Sequence, residues 1–301
     1  MKDKKTLATL TALLAQIIFG FSFMFTKTAL QSASPLVVIA NRHMIAFLGM
    51  TVVMIVSKTK IRITRDIWKL LLMSLFQPVF YFIFESYGIQ MTTSSFSSVM
   101  IALIPVVTMI SGIFVLGELP SLMQYAFTAM SVAGVALMAV QGRVEGTVTP
   151  LGMLLLFGAV VSSVGYNITS RKISNEYSVF ERTYAMAFVG FVVFLGVALV
   201  ENYKNPAVLI TEFASVSYLC SVVYLGIVSS VIAFLLLNFA NTHLPVAKTT
   251  VFSNITTVVS VFAGAVFLKE RLTAVSIFAA AMIIFGVWGV QVLNMRNQQK
   301  K

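Results

Sequence analysis

Charge is scarce in this chain. Ten acidic and 21 basic residues are spread over 301 positions, so 10% of the sequence is charged, against about 25% in ordinary soluble domains. Apolar residues make up 58% of the chain and the mean hydropathy is +0.94. A soluble fold of this size cannot hide so much apolar surface, so the solvent is lipid. Cysteine is nearly absent: Cys220 alone excludes a disulfide framework and a cysteine-based metal site. The two histidines, His43 and His243, are too far apart in sequence to promise a metal site. There is no phosphate loop, GxGxxG, HExxH or Ser–His–Asp arrangement, so neither an enzyme nor a cofactor is expected. Uphill work would then have to draw on an ion or solute gradient.

What is present is long apolar runs. A helix needs about 20 mostly apolar residues to span a bilayer. Ten such runs are read at 7–29, 35–57, 66–89, 94–116, 121–141, 149–171, 179–201, 216–239, 244–268 and 274–294. They are too long and too little alternating for a membrane β-barrel. The first run follows Lys2, Lys4 and Lys5 and precedes Ser32-Ala33-Ser34, as a secretory signal does. It is longer than the usual signal core of about 7–15 residues and has a second copy later in the chain, so it is read as helix one.

The net charge of +11 has a topological explanation. With the N-terminus inside and the chain alternating, 14 of the 21 basic residues fall on the cytoplasmic side, as the positive-inside rule requires. Nucleic acid is therefore not an expected partner. Both termini are expected in the cytoplasm, with the chain in the cytoplasmic membrane as a monomer or homodimer.

The two halves resemble each other. Gly20 through Lys27 lines up with Gly165 through Lys172 at an offset of 145. Leu116-Gly117-Glu118 then aligns with Leu268-Lys269-Glu270, and Gly134 with Gly286, at an offset of 152. The seven added residues fit most simply in the polar stretch Asn202–Ser215. Five helices per half is an odd number, so the second half enters the membrane upside down. Inverted repeats around a midplane site are a construction of secondary transporters. The expected architecture is an all-α polytopic membrane protein of ten transmembrane helices. Two inverted five-helix repeats span 7–141 and 149–294, and 295–301 forms a cytoplasmic tail.

At these residues the chain resembles the EamA family of the drug/metabolite transporter superfamily. The resemblance rests on Gly20 with Lys27, Arg42, Pro105 and Gly117-Glu118, and in the second copy on Gly165 with Lys172 and Glu270-Arg271-Leu272. It implies a ten-helix carrier of small metabolites, often an exporter. Two positions depart from the pattern. Thr257 stands where Pro105 stands in the first copy, so helix nine need not kink as helix four does. The counterpart of Arg42 is ambiguous, with Arg182 nearby.

Glu85 lies well inside helix three, and a carboxylate there costs roughly 2.5–3.5 kcal/mol on insertion scales. Gln77, Tyr81 and Glu85 are spaced i, i+4, i+8 and form a polar stripe, expected to face a cavity or to glue a neighbouring helix. Asn41, Arg42 and His43 form the most polar cluster within any run. Arg42 could hold a carboxylate or phosphate or reach the outer headgroups. Tyr166 and Asn167 in helix six, and Thr250 and Asn254 in helix nine, complete the expected solute-facing set. Glu118 and Glu270 are expected to accept backbone N–H bonds at the starts of helices five and ten. Ser98/Ala102, Gly158/Ser162 and Ser260/Gly264 suit close helix approach.

The expected function is secondary transport of a small solute by alternating access, with export of amino acids or related compounds foremost and Glu85 available for proton coupling. An exporter of lipophilic cations or drugs is the alternative within the class. A non-transporting sensor or assembly protein is the alternative outside it.

Overall fold

A computed structural model of the chain describes residues 2–62, 66–116, 121–144, 146–244, 249 and 252–299. Most of these are helical, with no strand among them. Seven helices are long and apolar enough to cross a membrane, and three further apolar helices are shorter. The long ones are α1 (Lys2–Ala29), α2 (Pro35–Ser57), α3 (Trp68–Gln90), α5 (Leu122–Val144), α6 (Pro150–Lys172), α7 (Val179–Glu201) and α8 (Val216–His243). Helix α4 is two pieces, Ser94–Ile101 and Ile104–Leu116. Helices α9 (Ser253–Phe267) and α10 (Ala274–Gln299) follow.

Helix starts follow local chemistry. Ser34 caps α2 ahead of Pro35, and Thr149 caps α6 ahead of Pro150; proline suits this first position because its missing N–H would be unpaired anyway. Ser178 and Glu181 form a reciprocal capping box on α7, satisfying two donors that a helix start leaves open.

Interruptions carry more information. Pro105 opens the second piece of α4 just after the break at 102–103, while α9 runs unbroken past Thr257, as the substitution at that position predicts. Helix α3 departs from the continuous helix expected over 66–89. Gln77 is extended (φ −148°, ψ 115°) ahead of the cis-bonded Pro78, inside a widened turn over Leu75–Phe80. Proline lacks the donor N–H, and it pushes the preceding residue out of the helical region. Helix α8 contains a similar wide stretch, Tyr224–Ala233, without a proline.

Lipid supplies no hydrophobic drive between helices, so close packing must hold them together. Gly134 and Gly286, aligned at an offset of 152, show how. A Cβ on Gly134 would sit 2.8 Å from the Ala279 carbonyl of α10, and one on Gly286 would sit 2.6 Å from the Phe127 carbonyl of α5. Each glycine lets the other half's last helix approach its backbone. Gly158 likewise rests on Phe84 and Gly264 on Ser95, so those small residues serve packing. Outward-facing Val56, Leu122 and Val200 are among many exposed apolar side chains, which suits a lipid-facing belt.

Polar contacts at the helix ends help join the halves. At one end Arg62 pairs with Glu181 at 2.9 Å, and Lys69 with Glu176 at 2.6 Å. At another, Glu270 accepts from the Ser94 and Ser95 backbone N–H groups at 2.7 and 3.1 Å. Glu270 thus caps α4 of the first half instead of the start of α10, because the loop after α9 aims it across the bundle. Glu118, Gly117 and Arg65 lie outside the described residues.

Candidate solute site

The bundle encloses a cavity whose walls come from α1, α2, α3, α4, α6, α8 and the start of α9. Its water-accessible space is about 70 Å³, room for a few waters. A pocket for a small organic ligand usually measures about 300–1,000 Å³, so the cavity is narrow. Six of the expected residues line it: Arg42, Gln77, Tyr81, Glu85, Tyr166 and Asn167. The stripe on α3 survives the break at Pro78, since Gln77, Tyr81 and Glu85 all reach the same space.

Arg42 is 4% exposed and does not reach toward headgroups. Its Nε donates to Ser230 Oγ at 2.8 Å and its Nη2 to Ser229 Oγ at 2.9 Å, both in the wide stretch of α8. Its guanidinium carbon lies 4.0 Å from the Phe82 ring centroid, a favourable cation–π arrangement when water is excluded. Ser22 of α1 donates to Ser229 at 2.9 Å, extending the network to a third helix. Glu85 is 5% exposed. Its Oε1 accepts from the Tyr81 hydroxyl at 2.8 Å, while Oε2 has no partner. Aromatic rings pack beside these groups: Phe234 touches Phe19, Phe82 and Tyr166 edge-on.

On α6, the Tyr166 hydroxyl donates to Asn238 Oδ1 at 3.0 Å, and Asn167 Oδ1 accepts from Asn241 at 3.5 Å. Asn238 and Asn241 therefore bridge helices and do not cap α8, which continues to His243. Arg182 is fully buried beside them, donating to Ser170 Oγ at 2.9 Å and to the Asn238 carbonyl at 3.1 Å. The carbonyl-rich end of α8 offsets its charge. The caps Ser34 and Ser178 stand 144 residues apart, which sets Arg42 opposite Met186. Arg182 is thus not the counterpart of Arg42.

The remaining candidates sit elsewhere. Asn41 is buried and donates to the Tyr218 hydroxyl at 2.9 Å. Asn254 is buried at the start of α9, off the cavity wall, with its Oδ1 unpartnered. Thr250 lies outside the described residues. His43 packs between Phe82 and Phe194 and bonds the Ile39 carbonyl oxygen. Lys27 donates to the carbonyls of Ile89 and Thr92, tying α1 to the end of α3.

Sequence reading missed Gln16, Ser22, Ser229 and Thr256 on the wall. Thr256 Oγ1 donates toward Gln16 Oε1 at 2.7 Å. Ser22 carried a signal, since it aligns with Asn167 at the offset of 145; a serine in an apolar run is otherwise too common to stand out.

The model of the EamA-like transporter family matches this chain twice, over residues 6–140 and 150–292. The chain belongs to that family. It is 33% identical, over all of its length and 97% of the relative's, to the uncharacterized transporter YcxC of Bacillus subtilis (strain 168). It is 22% identical, over 95% of its length and 94% of the relative's, to a probable amino-acid metabolite efflux pump of Escherichia coli (strain K12). A solved crystal structure shares the fold at a TM-score of 0.69, covering 97% of this chain and 98% of its own, with 18% identity. The protein is a multi-pass membrane transporter of small-molecule solutes.

Proposed function

We propose that this transporter is a secondary active exporter of amino acids or related metabolites, working by alternating access. In this reading ten helices cross the cytoplasmic membrane as two inverted five-helix repeats, 7–141 and 149–294, with both termini in the cytoplasm. Arg42, Gln77, Tyr81, Glu85, Tyr166 and Asn167 contact the solute. The carrying observation is one narrow cavity that gathers these polar groups from both halves of a lipid-facing bundle. The reciprocal contacts of Gly134 and Gly286 support the repeat, and the name of the Escherichia coli relative supports the solute class.

An exporter of lipophilic cations fits less well. Glu85 and the aromatic wall suit a cation, but Arg42 opposes one across the same space. Glu85 also serves as the coupling site, because a free carboxylate oxygen in a cavity can bind and release a proton.

Purified protein in proteoliposomes tests this. Amino-acid flux should be saturable and fall at least about a hundredfold in Glu85→Ala and Asn167→Ala, as expected where buried polar partners are lost. Unsaturable flux overturns the carrier reading. Flux driven by a pH jump that survives Glu85→Gln removes proton coupling through this residue. Reporter tags on the two ends should both face the cytoplasm.

A further inference from the structure

Arg42 and Glu85 both face the cavity, and each lies within the other's electrostatic influence. Yet no ion pair among the described residues joins them. Each is held by neutral groups and keeps one polar atom without a partner among the described residues. On Arg42, Ser230 takes Nε, Ser229 takes Nη2, and Phe82 covers the guanidinium face; among the described residues no hydrogen bond occupies Nη1. On Glu85, Tyr81 occupies Oε1 and nothing occupies Oε2. Buried polar atoms are nearly always partnered, so an orphan on a side chain that lines a cavity calls for a ligand.

A solute with one charge could satisfy only one of these groups. It would add net charge beside two buried groups and leave the other one uncompensated, which is costly. A solute carrying both signs on adjacent atoms answers both and adds no net charge.

We propose that the cavity is a zwitterion clamp: Nη1 of Arg42 takes the solute's carboxylate, Oε2 of Glu85 takes its ammonium group, and Phe19, Phe82 and Phe234 receive its side chain. This rests on the carrier reading above and narrows it, excluding plain amines and plain carboxylic acids as good solutes. Ser229 and Ser230 become positioning residues. They fix the guanidinium plane so that a single nitrogen is presented, and the wide turn of α8 brings both hydroxyls to Arg42.

The test uses the purified full-length protein. The twenty common amino acids are screened by thermal shift. Calorimetry then compares matched triplets, starting with L-phenylalanine, phenethylamine and 3-phenylpropanoate. The zwitterion should bind at least about tenfold more tightly than either single-charge analogue. Glu85→Gln should lose the amine and bring the amino acid down to the level of the acid. Glu85→Asp, which keeps the charge, should restore the preference. Ser229→Ala should weaken the amino acid and the acid but leave the amine unchanged. Ligand-free melting of each variant shows whether it is folded. Equal binding of the amino acid and either analogue overturns the clamp, as does the absence of a shift with any amino acid. Saturable flux of another metabolite would then leave the carrier standing, and its absence would remove both.

Discussion

Helices α3 and α8 are both widened where they pass the cavity, and they differ in cause and in cargo. In α3, Pro78 forces the break, and the helix carries Gln77, Tyr81 and Glu85 to the wall. In α8 no proline acts. Gly226 packs so closely on α2 that a Cβ would lie 2.6 Å from Ile45 Cγ2 and 3.0 Å from the Arg42 carbonyl, and the wide turn offers two serines to Arg42. A repeated backbone device thus serves opposite signs of charge: one half supplies the acid, and the other aims the base.

The comparison breaks most visibly where the halves should behave alike. Gly134→Leu and Gly286→Leu should each cost about 3 kcal/mol, since the added atoms meet carbonyls that cannot move without displacing a helix. Denaturant unfolding in detergent should find them equal, and a large difference would mean that the two contacts are not equivalent.

Next comes the charge pair. Arg42→Leu and Glu85→Leu each leave one buried charge without its opposite. The double variant should recover about 1 kcal/mol or more of the summed loss. A double-mutant cycle with no coupling would separate the two residues energetically.

The struts should give a smaller effect. Lys27 binds the carbonyls ending α3, and Arg171 binds those of Asn241 and Thr242 ending α8. Lys27→Met should cost about 1–2 kcal/mol and Arg171→Met less, because Arg171 is more exposed. Smallest of all, Lys69→Gln removes a solvent-facing pair with Glu176 and should leave the melting temperature unchanged within error.

Much of this was legible beforehand. Helices α2 and α7 begin and end where their apolar runs do, because lipid thickness and capping residues fix both limits locally. The i, i+4, i+8 stripe announced the cavity-facing side of α3, whereas the α5–α10 contact at Gly134 and Gly286 was not read from their alignment. The helix break at Pro78 was not anticipated, although proline chemistry explains it. Ser229 and Ser230 were invisible, since nothing within a few residues marks them as partners of Arg42, some 190 positions away. The cross-bundle reach of Glu270 was equally hidden.

The amino-acid order alone determined the solvent, the limits of α2 and α7 and the likeness of the two halves, because hydropathy, caps and small-residue spacing act over a few turns. Only the folded bundle decided which buried charges line one cavity, because that depends on contacts between helices far apart in the chain.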